Sequence, residues 1–438
     1  MTEVIQIISQ LFLFLFLSSF PVNKISTPGL YVEIDNSIFN TFFFNIIFLF
    51  LILLISSFLS INLKLLFLII VIFYLSLFFL NFKKYIKSIY KIKLELLLFF
   101  IIINLFLFFN ISYNLQLGWD GLATWINKAN HFYSGRNYFE LFSSDNNPYP
   151  QYPHLGSFIW AFFWKNSFIE SEYIGRLYYF FLYLTSLFVL ISSFKNLSFY
   201  KKIIFLFILL IFSYDSTLEG YQEYIIFSLL IFCAKLILLL KENKNNNYLF
   251  YFLILATCLL PWIKNEGYFY SFFISLLFFF SNCSKQKKFF FIILVLFNIL
   301  LQIYFMKILF RLDNLLQFTI VDREIYYFSF DYVKSFNLIK KIFTIIIYIF
   351  HGLFKYPLAL LNILSFVMLF AYRNIFLEYR IFVFFLLLNI LFIFGVYIMT
   401  PYDLVWHLQT SIKRLILQTS GFYFFIFIAL YNKKILKI

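Results

Sequence analysis

The 438-residue chain is 63% hydrophobic, 25% aromatic and 13% charged, with a mean hydropathy of +0.89. A soluble domain is about half apolar and a quarter charged, so this composition excludes an ordinary water-soluble enzyme, and it excludes intrinsic disorder as well. The formal net charge of +15 marks cytoplasmic loops in a membrane protein, and no nucleic-acid partner is expected.

The apolar residues come in runs near the roughly 20 residues that cross a bilayer as helix. In chain order they are 4–20, 41–61, 65–80, 94–117, 173–194, 203–213, 224–240, 248–262, 268–281, 289–310, 342–371, 381–399 and 415–431. They predict an all-α, polytopic transmembrane helical bundle of about 11–13 spans. The first run lacks a basic leader and a small-residue cleavage site, so it is expected to be a membrane or interfacial helix. Run 342–371 contains Gly352 and Pro357, where a break is expected. No alternating β pattern competes with this reading. The expected organisation is a membrane-helical segment 1–93, a catalytic transmembrane domain 94–431 and a basic tail 432–438.

Lysines cluster at 83–93, 195–202, 241–244, 285–288 and 433–437. Placing all five clusters in the cytoplasm lets the helices alternate from residue 94 onward. Segments 118–172, 214–223, 263–267, 311–341 and 400–414 then face the other side, while the topology before residue 81 stays open. All six tryptophans lie in or beside those segments, with most of the acids and His131, His154 and His407. Cys233, Cys258 and Cys283 show neither metal-type spacing nor a disulfide framework.

Three stretches carry candidate chemistry. Gly118-Trp119-Asp120-Gly121-Leu122-Ala123-Thr124-Trp125 follows an apolar helix. An aspartate there can accept a proton from a hydroxyl at the bilayer surface, or it can cap the next helix. The same segment continues through Tyr149, Tyr152 and His154, with three prolines in residues 148–153 holding the backbone extended. Lys264-Asn265-Glu266-Gly267 forms a polar turn between two apolar runs, with Lys264 suited to a phosphate and Glu266 to orienting it. In Trp406-His407-Leu408-Gln409-Thr410-Ser411-Ile412-Lys413-Arg414-Leu415, a helix puts His407, Thr410, Ser411 and Arg414 on one face. Such a stripe can cradle a lipid-linked phosphate. Weaker signals are the turn from Glu219 to Glu223, and Arg176, a buried cation in need of an anionic partner.

Taken in order, these stretches resemble the polytopic GT-C glycosyltransferases, the bacterial relatives of protein O-mannosyltransferases and lipid A aminoarabinose transferase. The resemblance rests on Trp119 to Ala129, Tyr152-Pro153, Lys264 to Gly267 and Trp406 to Leu415. It implies a polyprenyl-phosphate-linked sugar donor, a glycan, lipid or protein hydroxyl as acceptor, and catalysis on the non-cytoplasmic face of the bilayer. Asp120 is then the catalytic base. Trp119, Trp125, Lys128, Tyr152, His154, Lys264, Glu266, Trp406, His407, Thr410, Ser411 and Arg414 are expected to bind substrate. Gly121 stands where those mannosyltransferases carry a second acid. A divalent cation, Mg or Mn, is admitted as a cofactor, but no metal site is assigned. The implied location is a bacterial inner membrane, with the site facing the periplasm.

Two rival readings remain. One is an O-antigen ligase- or polymerase-like enzyme, whose essential Arg and His lie in a late loop. The other is a transporter or flippase of lipid-linked saccharides, which needs ionisable groups near the bilayer midplane. Lys235 and Lys307 are the main basic residues inside predicted spans, and both are expected to reach an interface.

Overall fold

The computed structural model describes residues 2–19, 38–89, 94–142, 152–192, 198–213, 219–242, 246–281, 283–310, 317–321, 324–327, 338–355, 373–400 and 402–435. The architecture is all-α, and each predicted run coincides with a helix over its described part. By length and composition, seven helices among the described residues can each cross a bilayer, and further apolar helices cover 247–263, 266–279 and 384–398. The chain forms two compact units. One comprises residues 1–148, 153–208 and 215–228; the other comprises 149–152, 209–214 and 229–438. The boundary differs from the expected one at residue 93, because the first helices pack onto a helix that follows residue 170.

In the first unit, α1 (Thr2–Ser19), α2 (Ile38–Ser57), α3 (Leu63–Ile89) and α4 (Leu94–Tyr113) precede the short α5 (Ile126–Tyr133) and α6 (Leu155–Lys165). Then come α7 (Glu172–Ser192), α8 (Phe199–Ser213) and the start of α9 (Glu223–Glu242). Because α7 is hydrophobic all round, it is enclosed on every side, with α1, α2, α4 and α6 packed against it. The abundant phenylalanines fill this core edge to face. Phe14 meets Phe163 at 5.0 Å and 85°, and Phe100 meets Phe188 at 4.9 Å and 79°. Each such pair adds about 0.5–1.5 kcal/mol beyond its burial.

A polar clasp ties the end of α6 to α3 and α5. Glu170 pairs with Lys64 at 2.6 Å and Lys165 at 3.3 Å, and accepts from Tyr133, whose ring stacks on Trp164 at 4.3 Å. The hydrogen bonds from Lys64 and Tyr133 hold the Glu170 carboxyl down at about 2.

In the second unit, α10 (Asn247–Ile263) and α11 (Glu266–Phe279) form a hairpin against which α12 (Lys285–Phe310) returns. A small antiparallel ladder follows, β1 (Gln317–Val321) with β2 (Glu324–Tyr327), pairing Val321 with Glu324. Strands of five and four residues leave the all-α class unchanged, and runs this short are ambiguous by periodicity alone. Next are α13 (Leu338–Lys355), α14 (Arg373–Ile398) and α15 (Leu404–Ile435). Helix α13 runs through Gly352 without a break, and residues 356–372, with Pro357, lie outside those described. Lys235 is enclosed at 4% exposure, so it does not reach an interface as expected.

Candidate functional site

The described candidate residues form two polar centres, one in each unit. The first is the turn around Asp120. Helix α4 ends at Tyr113, and the chain from 114 to 118 is fastened by buried Arg176. Arg176 pairs with Glu172 at 2.9 Å, one helical turn back, and donates to the carbonyls of Leu115 at 3.1 Å and Gln116 at 3.5 Å. The anionic partner that this buried cation requires is therefore on its own helix. Gly118 N–H then donates to the Glu219 carbonyl at 3.0 Å. A single π-helical turn, Gly121–Trp125, leads into α5. Asp120 is half-buried at the head of that turn and makes no side-chain capping hydrogen bond, so the capping role open in the sequence is not the one it takes.

The glycines flanking Asp120 have a steric cause. A Cβ on Gly118 would stand 2.3 Å from the Tyr221 hydroxyl and 2.7 Å from Glu219 Oε2; one on Gly121 would stand 2.3 Å from the Glu219 carbonyl. The segment 219–221 thus lies directly on the Gly-Trp-Asp-Gly turn, and it brings the Glu219 carboxylate beside Gly118. Sequence reasoning rated the Glu219–Glu223 turn as weak. The signal that would have raised it is the pair of glycines around Asp120, because a position that must be glycine implies close approach by another segment.

Three residues expected to touch substrate are interior. Trp125 is 1% exposed, and Lys128 and His154 are fully enclosed. Ser57 donates to the Leu54 carbonyl and meets His154 Nε2 at 2.7 Å, while the Tyr138 ring lies 4.0 Å from the imidazole. Ser157 donates to the Trp125 carbonyl at 3.0 Å. Burial drives the Lys128 amine well below the usual lysine range, and burial and the nearby Lys128 drive His154 below the usual histidine range. Enclosed in this way, these groups brace α5 and α6 from within. Trp119, by contrast, is 63% exposed, and Tyr152 is half-buried.

The second centre joins the Lys264–Gly267 turn to α15. Helix α10 closes through Pro261, and Gly267 sits so tightly on Leu260 that a Cβ would stand 2.0 Å from its carbonyl oxygen. That approach makes the reversal sharp enough for Lys264 to pair with Glu266 at 3.1 Å. Helix α12 braces the turn: Asn298 accepts from Trp262 at 3.0 Å and donates to the Cys258 carbonyl at 2.9 Å, and Gln302 donates to the Pro261 carbonyl at 2.7 Å. From α15, Gln418 donates to Glu266 at 3.4 Å and accepts from Tyr270 at 2.8 Å. Two stretches far apart in the chain thereby meet.

Along α15 the inward stripe differs from the expected one. At 100° per residue, Arg414, His407, Gln418 and Ser411 fall at about −20, 0, 20 and 40°, and Thr410 at about −60°. Thr410 bonds back to the Trp406 and His407 carbonyls of its own helix and is exposed. Gln418, one turn beyond the stretch that drew attention, takes its place. Ser411 bonds the His407 carbonyl at 2.7 Å and Tyr397 Oη at 2.9 Å. His407 Nδ1 meets Thr400 Oγ1 at 2.7 Å, with the ring edge-on to Tyr397. Burial, then the charge of Arg414, pushes the imidazole down to about 4, with Glu266 opposing. His407 is therefore neutral at pH 7, a hydrogen-bonding group within the stripe. Asp403 caps α15 through the Trp406 N–H at 2.8 Å, and Trp406 is 51% exposed.

Among the described residues, no group of three or more His, Cys, Asp or Glu is arranged to hold a metal ion. Comparison with protein-family models, curated proteins and solved structures found no match. What composition and fold define is an integral, multi-pass, all-α membrane protein with two ionisable centres outside its longest apolar stretches.

Proposed function

We propose that the protein is a membrane glycosyltransferase that moves a sugar from a polyprenyl-phosphate carrier to a hydroxyl acceptor, working at the non-cytoplasmic face of a bacterial inner membrane. Asp120 takes the proton of the acceptor hydroxyl. The acceptor oxygen forms a bond to the anomeric carbon, and the bond from that carbon to the phosphate oxygen breaks with its electron pair leaving on the phosphate. Attack opposite the leaving group inverts the anomeric centre. The polyprenyl phosphate departs with one more negative charge than it held as a diester, a charge that cations such as Lys264 and Arg414 are chemically suited to stabilise. Neutral His407 and Ser411 contribute hydrogen bonds, and Glu266 directs Lys264. Exposed Trp119 and Trp406 offer faces for sugar rings.

The observation that carries this reading is the meeting of the Lys264–Glu266 turn with the Arg414–Gln418 stripe of α15. It puts Lys264 and the Gln418 amide on the Glu266 carboxylate, with Arg414 one helical turn before Gln418 on α15, a set of donors that suits an anionic headgroup better than a neutral solute. The test is transfer of radiolabelled sugar from a panel of polyprenyl-phosphate sugars in membranes, comparing wild type with Asp120→Asn and Lys264→Met. Label on lipid or glycan with wild type alone supports the proposal. Transfer by Asp120→Asn removes the base. Absence of transfer by folded wild-type protein from every monosaccharide donor moves the reading to oligosaccharide ligation or transport.

A further inference from the structure

Helix α13 differs from the other long helices of the second unit in how its side chains are sorted. At 100° per residue, Lys340, His351, Thr344, Tyr348 and Lys341 fall at about 0, 20, 40, 80 and 100°, so the polar groups occupy a single stripe. The remaining arc is apolar, and much of it is bare: Ile339 is 72% exposed, Phe343 61%, Ile347 62% and Phe350 55%. Lys340 and His351 are exposed as well. One flank is covered, where Ile345 is fully buried and Gln409 of α15 donates to Tyr348 Oη at 3.1 Å.

A helix with exposed faces of opposite polarity is matched to a boundary between water and oil. Were α13 to cross the bilayer, Lys340 and His351 would lie 11 residues apart along the stripe, some 16 Å in depth, and one or the other would meet acyl chains. Each charged group at the centre of a span costs roughly 2.5–3.5 kcal/mol. Laid along the surface, the same helix leaves its stripe in water and headgroups and its isoleucines and phenylalanines in the acyl boundary, with no such cost. By contrast, the exposed side chains of α12 between its ends are apolar, and its Asn298 and Gln302 turn to the α10 end.

We propose that α13 is an in-plane surface anchor, not a span, with Lys340 and Lys341 seated on the phosphates of anionic phospholipids. Charge complementarity selects the occupant, since a lysine near an anionic surface is worth roughly five-fold in partitioning and gains little from a zwitterionic one. Contact with Gln409 sets this anchor beside the His407–Arg414 stretch of α15. The inference does not depend on the proposed transferase activity.

The test uses the full-length protein with Cys233, Cys258 and Cys283 replaced by serine or alanine, carrying one spin label at a time at positions 339, 340, 343, 347, 350 or 351. Samples are reconstituted into phosphatidylcholine vesicles with or without phosphatidylglycerol. The expected result is a single shallow depth for labels at 339, 343, 347 and 350, and aqueous accessibility at 340 and 351. Depth that changes steadily from 339 to 350 would show a span and overturn the anchor. Phosphatidylglycerol should immobilise the label at 343, reversibly with salt, and Lys340→Gln with Lys341→Gln should abolish that response. Immobilisation that is the same in both lipids would overturn the anionic-headgroup assignment.

Discussion

Gln418 of α15 donates its amide to Glu266 at 3.4 Å across 152 positions of sequence. The same side chain accepts from Tyr270 at 2.8 Å and is fully buried. One amide thus satisfies a carboxylate and a phenol that would otherwise lack this partner, and it fixes α15 against the start of α11. Gln418→Leu is expected to lower stability by about 1–3 kcal/mol, the cost of leaving buried polar partners unsatisfied. Thermal unfolding in detergent measures it. Adding Tyr270→Phe should restore part of the loss, because the stranded hydroxyl is then gone.

Gly121 and Gly135 provide a matched pair of glycine substitutions with different causes. Gly121→Ala forces a methyl to within 2.3 Å of the Glu219 carbonyl, so backbone must move, and the turn bearing Asp120 is displaced. Gly135 has φ +88° with open space around it, so Gly135→Ala meets only the left-handed conformational penalty of about 1–2 kcal/mol. The expected outcome is that Gly121→Ala impairs folded yield or sugar transfer, while Gly135→Ala lowers the melting temperature modestly and leaves transfer intact. Size-exclusion profiles and transfer assays separate the two.

Buried Arg176 pairs with the part-exposed Glu172, and its guanidinium also secures the Leu115 carbonyl. Removing one member of a buried pair typically costs about 3–5 kcal/mol. Arg176→Met is expected to destabilise the protein by an amount of that order, and Arg176→Met with Glu172→Gln by less. A double-mutant cycle on thermal unfolding gives the coupling.

His407 predicts a pH dependence with a defined sign. Its imidazole titrates at about 4 in the folded chain, against 6.5 ordinarily. Between those values the unfolded chain holds a proton that the folded chain does not, so stability falls as pH drops from 6.5 through about 4 and levels below. Above 6.5 the residue adds no slope. His407→Gln should flatten that part of the profile, measured by melting in detergent across pH.

Much of the bundle is legible from hydropathy, because crossing a bilayer demands long apolar runs with every backbone group bonded within the helix. Arg176 was legible for the same reason: a buried guanidinium requires an anion, and Glu172 supplies it. The β1–β2 ladder was not, since runs of five and four residues are ambiguous by periodicity alone. Lys128 and His154 read as binding groups because a charged residue in a polar segment resembles a ligand contact, and only packing shows whether a side chain is enclosed. Gln418 escaped notice because the helical stripe was ended at Arg414, although the same arithmetic carried one turn further includes it.

Composition and hydropathy by themselves determined the class of protein, its helical elements and the polar stretches where chemistry is sought, because each depends on residues close together in sequence. Tertiary structure alone decided that Glu266 meets Gln418, that Glu219 lies against the Asp120 turn and that His407 is neutral. Those properties arise from contacts and desolvation imposed by residues tens to more than a hundred positions away.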